Sequence, residues 1–226
     1  MSTSQSGISV TPIIEPSAER FIRHRLADRL YHWLMAACVL TLMASAFLPI
    51  VGLKFEWVSL HWMTGVLLAA LVLVHIMRAL VWQDWRAMLP DGPDMRNALR
   101  GIRRAVGGGG PPPGKPGKYR ILQKLYHLAI ALFVLSIVAS GLLMLLKIDT
   151  PWWRRNPYWF DADTWGVIYS AHGFAAMALI TFVMIHIYFA LRPEEWWLTR
   201  SMFRGYVRRS EYADHCDSRR WRAASE

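Results

Sequence analysis

The sequence predicts an all-α membrane protein, a four-transmembrane-helix bundle with both termini cytoplasmic, on three observations. Hydrophobic residues make up 54% of the 226, yet the formal net charge is +10, so apolar blocks must alternate with basic ones. Four of the apolar blocks reach the roughly 20 residues that a bilayer-spanning helix needs. Lys and Arg gather on one side of all four.

A cytoplasmic arm, residues 1–29, comes first and carries Arg20, Arg23, Arg25 and Arg29. The first span runs over about 30–51, Leu30 to Val51. It is too long and too late for a signal peptide and no small-residue cleavage site precedes it, so it is expected to stay in the mature chain. The other spans cover about 58–82, 121–146 and 166–191, and none has Asp or Glu in its middle. Between the second and third lie Arg86, Arg96, Arg100, Arg103, Arg104, Lys115, Lys118 and Arg120, together with the linker "GGGGPPPGKPGK" at 107–118. That linker is flexible first and then stiffened by prolines. A basic tail, 192–226, follows the last span, whereas the two remaining connections hold only Lys54, Lys147, Arg154 and Arg155. The positive-inside rule therefore places both termini and the linker at 107–118 in the cytoplasm, with membrane lipid around the four spans of the 30–191 domain.

Several function classes drop out. Basic charge that flanks every span on one side reads as topology, not as a nucleic-acid footprint. Cys38 and Cys216 form no C-x-x-C pair, so the chain builds no iron–sulfur cluster alone and lacks the run that attaches c-type haem. The tryptophans in "WWRRNPYWF" and "EEWW" read as an interfacial belt.

The histidines do not reduce to topology. Six of the eight, His32, His61, His75, His127, His172 and His186, lie in or at the edge of spans, where polar groups are costly and are kept for a partner. One partner is a neighbouring helix; another is a metal group. Fourteen positions separate His172 from His186, which at about 100° per residue and 1.5 Å rise puts both on one helix face, about 21 Å apart along the axis. His61 and His75 repeat the interval. A lone zinc ion wants three or four ligands packed together, whereas this pattern offers one imidazole per helix per level. An iron porphyrin needs two axial ligands, and bundle cores are where such cofactors sit. Gly65, Gly141 and Gly173 lower the helix surface for a ring edge. Two b-type haems follow. Alternating span direction puts His61 and His172 near the outer face, which pairs them, while His32, His75 and His127 compete to face His186 near the inner one.

In order and spacing, "DRLYHW" (Asp28–Trp33), "LHWMTG" with Arg78 further on, "GKYRILQK" (Gly117–Lys124), "ASG" (Ala139–Gly141), "HGFAAMALITFVMIHIYFA" and "MFRGYVRRSEYADHCDSRRW" resemble a known family. It is the cytochrome b subunit of membrane-bound formate dehydrogenases and nickel–iron hydrogenases, in the bacterial cytochrome b561 group. The resemblance covers about Asp28 to Trp221. It implies that His61 and His172 hold the outer haem b and His32 and His186 the inner one, with Arg78 a candidate for a haem propionate. Two departures stand out: His75 and His127 fall where those relatives have apolar residues, and Arg120 stands where formate dehydrogenase subunits tend to have Asn near the quinone. His75 is an alternative inner ligand. Tyr119, Arg120, Gln123 and His127 are the candidate quinone contacts.

The resemblance further implies a respiratory electron-transfer subunit, not itself assigned a catalytic residue. It would pass electrons between an extracytoplasmic iron–sulfur or cytochrome subunit, attached to a catalytic subunit, and menaquinone or ubiquinone near the inner haem. A free-standing b561-type quinol oxidoreductase and a histidine-lined metal transporter are the alternatives. The long tail argues against the first, because small cytochromes of that kind end soon after the fourth span.

Overall fold

A computed structural model describes residues 19–83 and 85–224; the first 18 residues of the N-terminal arm lie outside them. Four long helices dominate: α1 (Leu26–Phe47), α2 (Trp57–Trp82), α4 (Ile121–Met144) and α5 (Ala162–Leu191). A 3₁₀ turn at Leu145–Lys147 prolongs α4, and all four are long and apolar enough to cross a membrane. Two of them start about one turn before their apolar blocks do. α1 begins at Leu26 because Asp28 and Arg29 interrupt the hydropathy without interrupting the helix; Asp28 pairs with Arg78 of α2 at 2.6 Å. α5 begins at Ala162 because Asp161 caps it, its carboxylate accepting from the Thr164 amide at 2.7 Å, the standard satisfaction of an orphan N-terminal donor.

Helix α1 packs along α2, α4 along α5, and α2 joins the two hairpins by touching α4. Cys38, Leu68, Val72, Val134 and Leu179 form the buried core among them. Leu80, Leu132, Phe174 and Met184 point outward and exposed. Such an apolar exterior suits hydrocarbon, which needs every backbone polar group satisfied inside the helices.

The basic arm, the α2–α4 connection and the tail assemble into a cap on one end of the bundle. Strand β1 (Arg20–Ile22) pairs antiparallel with β2 (Tyr206–Arg208), with Phe21 opposite Val207. Val207 is fully buried with Trp197 and Cys216. Between α6 (Trp196–Arg204) and β2, Gly205 turns the chain at φ +92°, and a Cβ there would lie 2.9 Å from the His24 carbonyl oxygen, so only glycine fits. The short helix α7 (Arg209–His215) follows. The connection between α2 and α4, for which the sequence reading assigns only the linker at 107–118, contains α3 (Gly92–Ala105), whose N-terminus has an Asp91/Asp94 capping box. Asp94 is almost fully buried and binds Lys124 of α4 and Arg220 of the tail, both at 2.7 Å. The linker at 107–118 forms no regular element, but its end is held: Asp217 N–H donates to the Pro116 carbonyl at 2.8 Å and Arg23 to that of Lys118 at 2.7 Å.

Candidate functional site

The bundle brings its six span histidines together as three pairs. At the end away from the cap, His61 of α2 faces His172 of α5 with ring centres 6.4 Å apart. At the cap end, His186 of α5 faces His32 of α1 at 6.2 Å, and His75 of α2 faces His127 of α4 at 6.3 Å. His186 therefore pairs with His32 and not with His75.

These separations have a definite meaning. A direct N–H···N bond of about 2.9–3.0 Å, with roughly 1.1 Å from each ring centre to its nitrogen, would put the centres about 5.1 Å apart. An imidazole nitrogen sits about 2.0–2.1 Å from a first-row metal ion; with the ion midway and both nitrogens in line, the centres fall roughly 6.2–6.4 Å apart. Each pair is therefore too far apart for a direct hydrogen bond and has room for a metal ion between its two rings. Among the described residues no three His, Cys, Asp or Glu side chains cluster to hold a metal ion. The donor set thus fits a group that brings its own equatorial ligands, as the iron of haem b does.

Two serines fix the chemistry of the pair away from the cap. Ser45 Oγ lies 2.8 Å from His61 Nδ1 and 3.0 Å from the Leu42 carbonyl. A carbonyl can only accept, so the hydroxyl gives its one proton to Leu42 and must itself accept from His61 Nδ1–H. The lone pair of His61 is thereby placed on Nε2, free for a metal. Ser140 does the same for His172: Oγ is 3.0 Å from Nδ1 and donates to the Ser136 carbonyl at 2.6 Å. Orienting partners of this kind are what ligating histidines ordinarily have. Gly141 completes the fit, since a Cβ there would lie 3.3 Å from His172 Cε1. Neither serine stands out in sequence, where Ser in an apolar helix reads as back-bonding to its own carbonyls. At the cap end, the Nδ1 atoms of His32 and His127 are both buried without a partner.

The remaining candidates surround the cap-end pairs. Arg78 donates to Asp28, as Gln83 does at 3.1 Å, and the Arg78 guanidinium lies over the Tyr31 ring. Arg120 Nη1 contacts Glu195 Oε1 at 2.5 Å, and the Arg120 amide donates to Gln123 Oε1 at 2.9 Å. Tyr119 lies under the guanidinium of Arg23, which is also stacked over Trp197 and Trp221. Burial pushes the Arg23 pKa down, against the pull of Tyr119 and Cys216. Sequence reasoning missed Glu195, whose second oxygen is buried and unpartnered beside Arg120.

A family model described as prokaryotic cytochrome b561 matches residues 23–205. Among curated proteins, the formate dehydrogenase cytochrome b556 subunit of Haemophilus influenzae is 25% identical over 185 residues, covering 76% of this chain and 71% of its own length. The formate dehydrogenase cytochrome b556(fdo) subunit of Escherichia coli K12 is 29% identical over 187 residues, covering 76% and 80%.

Proposed function

We propose, on the premise that this chain belongs to the prokaryotic cytochrome b561 family, that it is the haem b-carrying membrane subunit of a larger respiratory oxidoreductase. Its coarse role is that of a membrane cytochrome b in electron transfer. In the finer reading, His61 and His172 hold one haem b near the outer face, and His32 and His186 hold another near the inner face. The observation that carries this is that the histidines of the two pairs face each other with ring centres 6.4 and 6.2 Å apart. Bound there, the porphyrin iron supplies reversible one-electron chemistry. The protein contributes ligation, tautomer control through Ser45 and Ser140, and a dry core.

Charge asymmetry supports a cytoplasmic cap and an extracytoplasmic outer pair, in the inner membrane. The electron partner would then dock on the outer side as an iron–sulfur or cytochrome subunit attached to a catalytic one. Because the relatives are named as formate dehydrogenase subunits, a formate-oxidising catalytic subunit is the first partner to test. The quinone is placed at the start of α4, beside Tyr119, Arg120 and Gln123. Arg120 can donate to a quinone oxygen, and the unpartnered Glu195 oxygen can accept from the quinol hydroxyl. A quinone becomes quinol by taking two electrons and two protons; with the site at the cap end, those protons come from the cytoplasm. No carboxylate lies in the middle of a span, so a relay through the bundle has no carriers.

The test is a dithionite-reduced minus oxidised spectrum of the purified full chain, together with co-purification. b-type bands that disappear in His172→Phe/His186→Phe, and extracytoplasmic redox subunits retained with the wild type, are expected. Colourless protein from haem-replete cells overturns the reading.

A further inference from the structure

The third imidazole pair belongs to an internal repeat. α1 opens on "RLADRLYH" (Arg25–His32) and α4 is preceded by and opens on "RILQKLYH" (Arg120–His127). Ser45 and Ser140 follow their histidines, His32 and His127, at the same interval. α2 and α5 carry His61/His75 and His172/His186 at a common interval, with buried Leu68 and Leu179 midway.

The contacts repeat as well. Ser45 takes a hydrogen bond from His61 and Ser140 takes one from His172. The Tyr31 hydroxyl donates to the Leu71 carbonyl and the Tyr126 hydroxyl to that of Phe182, each four residues before a histidine. Tyr31 stacks on His75 at 5.6 Å and 20°, and Tyr126 on His186 at 5.9 Å and 21°. The hairpins α1–α2 and α4–α5 are therefore two copies of one unit, related by a pseudo-twofold axis. Exchanging them maps the pair His61–His172 onto itself. It maps His32–His186 onto His127–His75, and the two separations agree, 6.2 and 6.3 Å. The equivalent Nδ1 atoms of His32 and His127 are both buried and unpartnered.

We propose that His75 and His127 are a third axial pair and that the chain holds a third haem b, at the cap end beside the one held by His32 and His186. The proposal rests on the haem reading of the other two pairs, since symmetry transfers whatever they hold. Two observations beside the repeat favour it over a packing role for these histidines. The 6.3 Å spacing is too long for a direct hydrogen bond. No additional His, Cys, Asp or Glu completes a bare-metal set among the described residues. The repeat is broken at one useful place: Arg78, one turn past His75, stands where the other copy has Phe189. It gives this clamp a cation for a propionate.

The experiment is the haem-to-protein ratio of the purified full chain after saturation with haemin, by pyridine haemochromogen against quantitative amino-acid analysis. The expected ratio is three. His75→Phe and His127→Gly should each lower it to two, and added imidazole should restore the third to His127→Gly. A saturated ratio of two overturns the third site and leaves the proposed function standing; a ratio of zero overturns both. A ratio of three unchanged in His75→Phe and His127→Gly overturns the assignment to these residues. The wild-type ratio decides even if a variant fails to fold.

Discussion

Replacing Ser45 by Ala isolates one hydrogen bond with a calculable consequence. The substitution removes the acceptor 2.8 Å from His61 Nδ1 and leaves that N–H in a fully buried position, since Ser45 has no exposed surface. A buried donor without a partner costs about 1–3 kcal/mol. At about 1.4 kcal/mol per factor of ten, the imidazole can recover part of this by moving its proton to Nε2, the nitrogen needed for iron, at roughly 5- to 150-fold in ligation. Removing the outer partner of a metal-bound histidine typically weakens binding by about 10–100-fold, and the two ranges overlap. The haem between His61 and His172 is therefore expected to transfer to excess apomyoglobin roughly 10–100 times faster in Ser45→Ala than in the wild type. Ser140→Ala should act alike through His172. The cap-end histidines have no serine partner among the described residues, and haem held there should keep its wild-type rate. Unchanged transfer in both variants, or equal acceleration at every clamp, would refute the tautomer argument.

Three further outcomes follow from the geometry. Gly141→Ala puts a methyl 3.3 Å from the His172 ring; overpacking of about 1 kcal/mol should loosen the same haem several-fold in the transfer assay while the helical circular dichroism stays constant. Lys124→Met strands the buried Asp94 carboxylate with Arg220 as its remaining charged partner and should cost about 3 kcal/mol, the low end for breaking a buried pair, read as faster proteolysis at 107–118. The same carboxylate sets an acid limit. Burial alone would raise its pKa, but hydrogen bonds from Lys124 and Arg220 hold it below the ordinary value. Its contribution is complete above about pH 3.9 and is lost as pH falls through the lower folded value, so α3 should become exchange-labile only below about pH 4. Release beginning near pH 6 would contradict this.

The four helices were legible because hydrocarbon imposes length and polarity on any chain that crosses it, and charge cannot hide from that count. Helix ends were not, because a backbone continues through Asp28 and Arg29 once Arg78 is there to pair with the former. The histidine spacing revealed which ring lies above which on one helix. It could not reveal which helices meet, so His186 had three candidate partners until the structure faced it with His32. Ser45 and Ser140 were hidden by being ordinary residues for an apolar helix, and only the shared interval from His32 and His127 marks them. α3 escaped notice because its apolar positions are few and its arginines read as topology. The capping pair Asp91 and Asp94 was the local signal.

The pairing of β1 with β2 joins residue 20 to residue 208, and it has a consequence for biogenesis. A ribosome releases the N-terminal arm first, yet its strand partner emerges only after every membrane segment has been made. Until then Phe21 lacks Val207 and Tyr212, and Arg23 lacks Trp197 and Trp221. A message truncated after α5 would thus yield a protein whose leading segment stays open to proteases, so completion of synthesis is reported at the very start of the polypeptide.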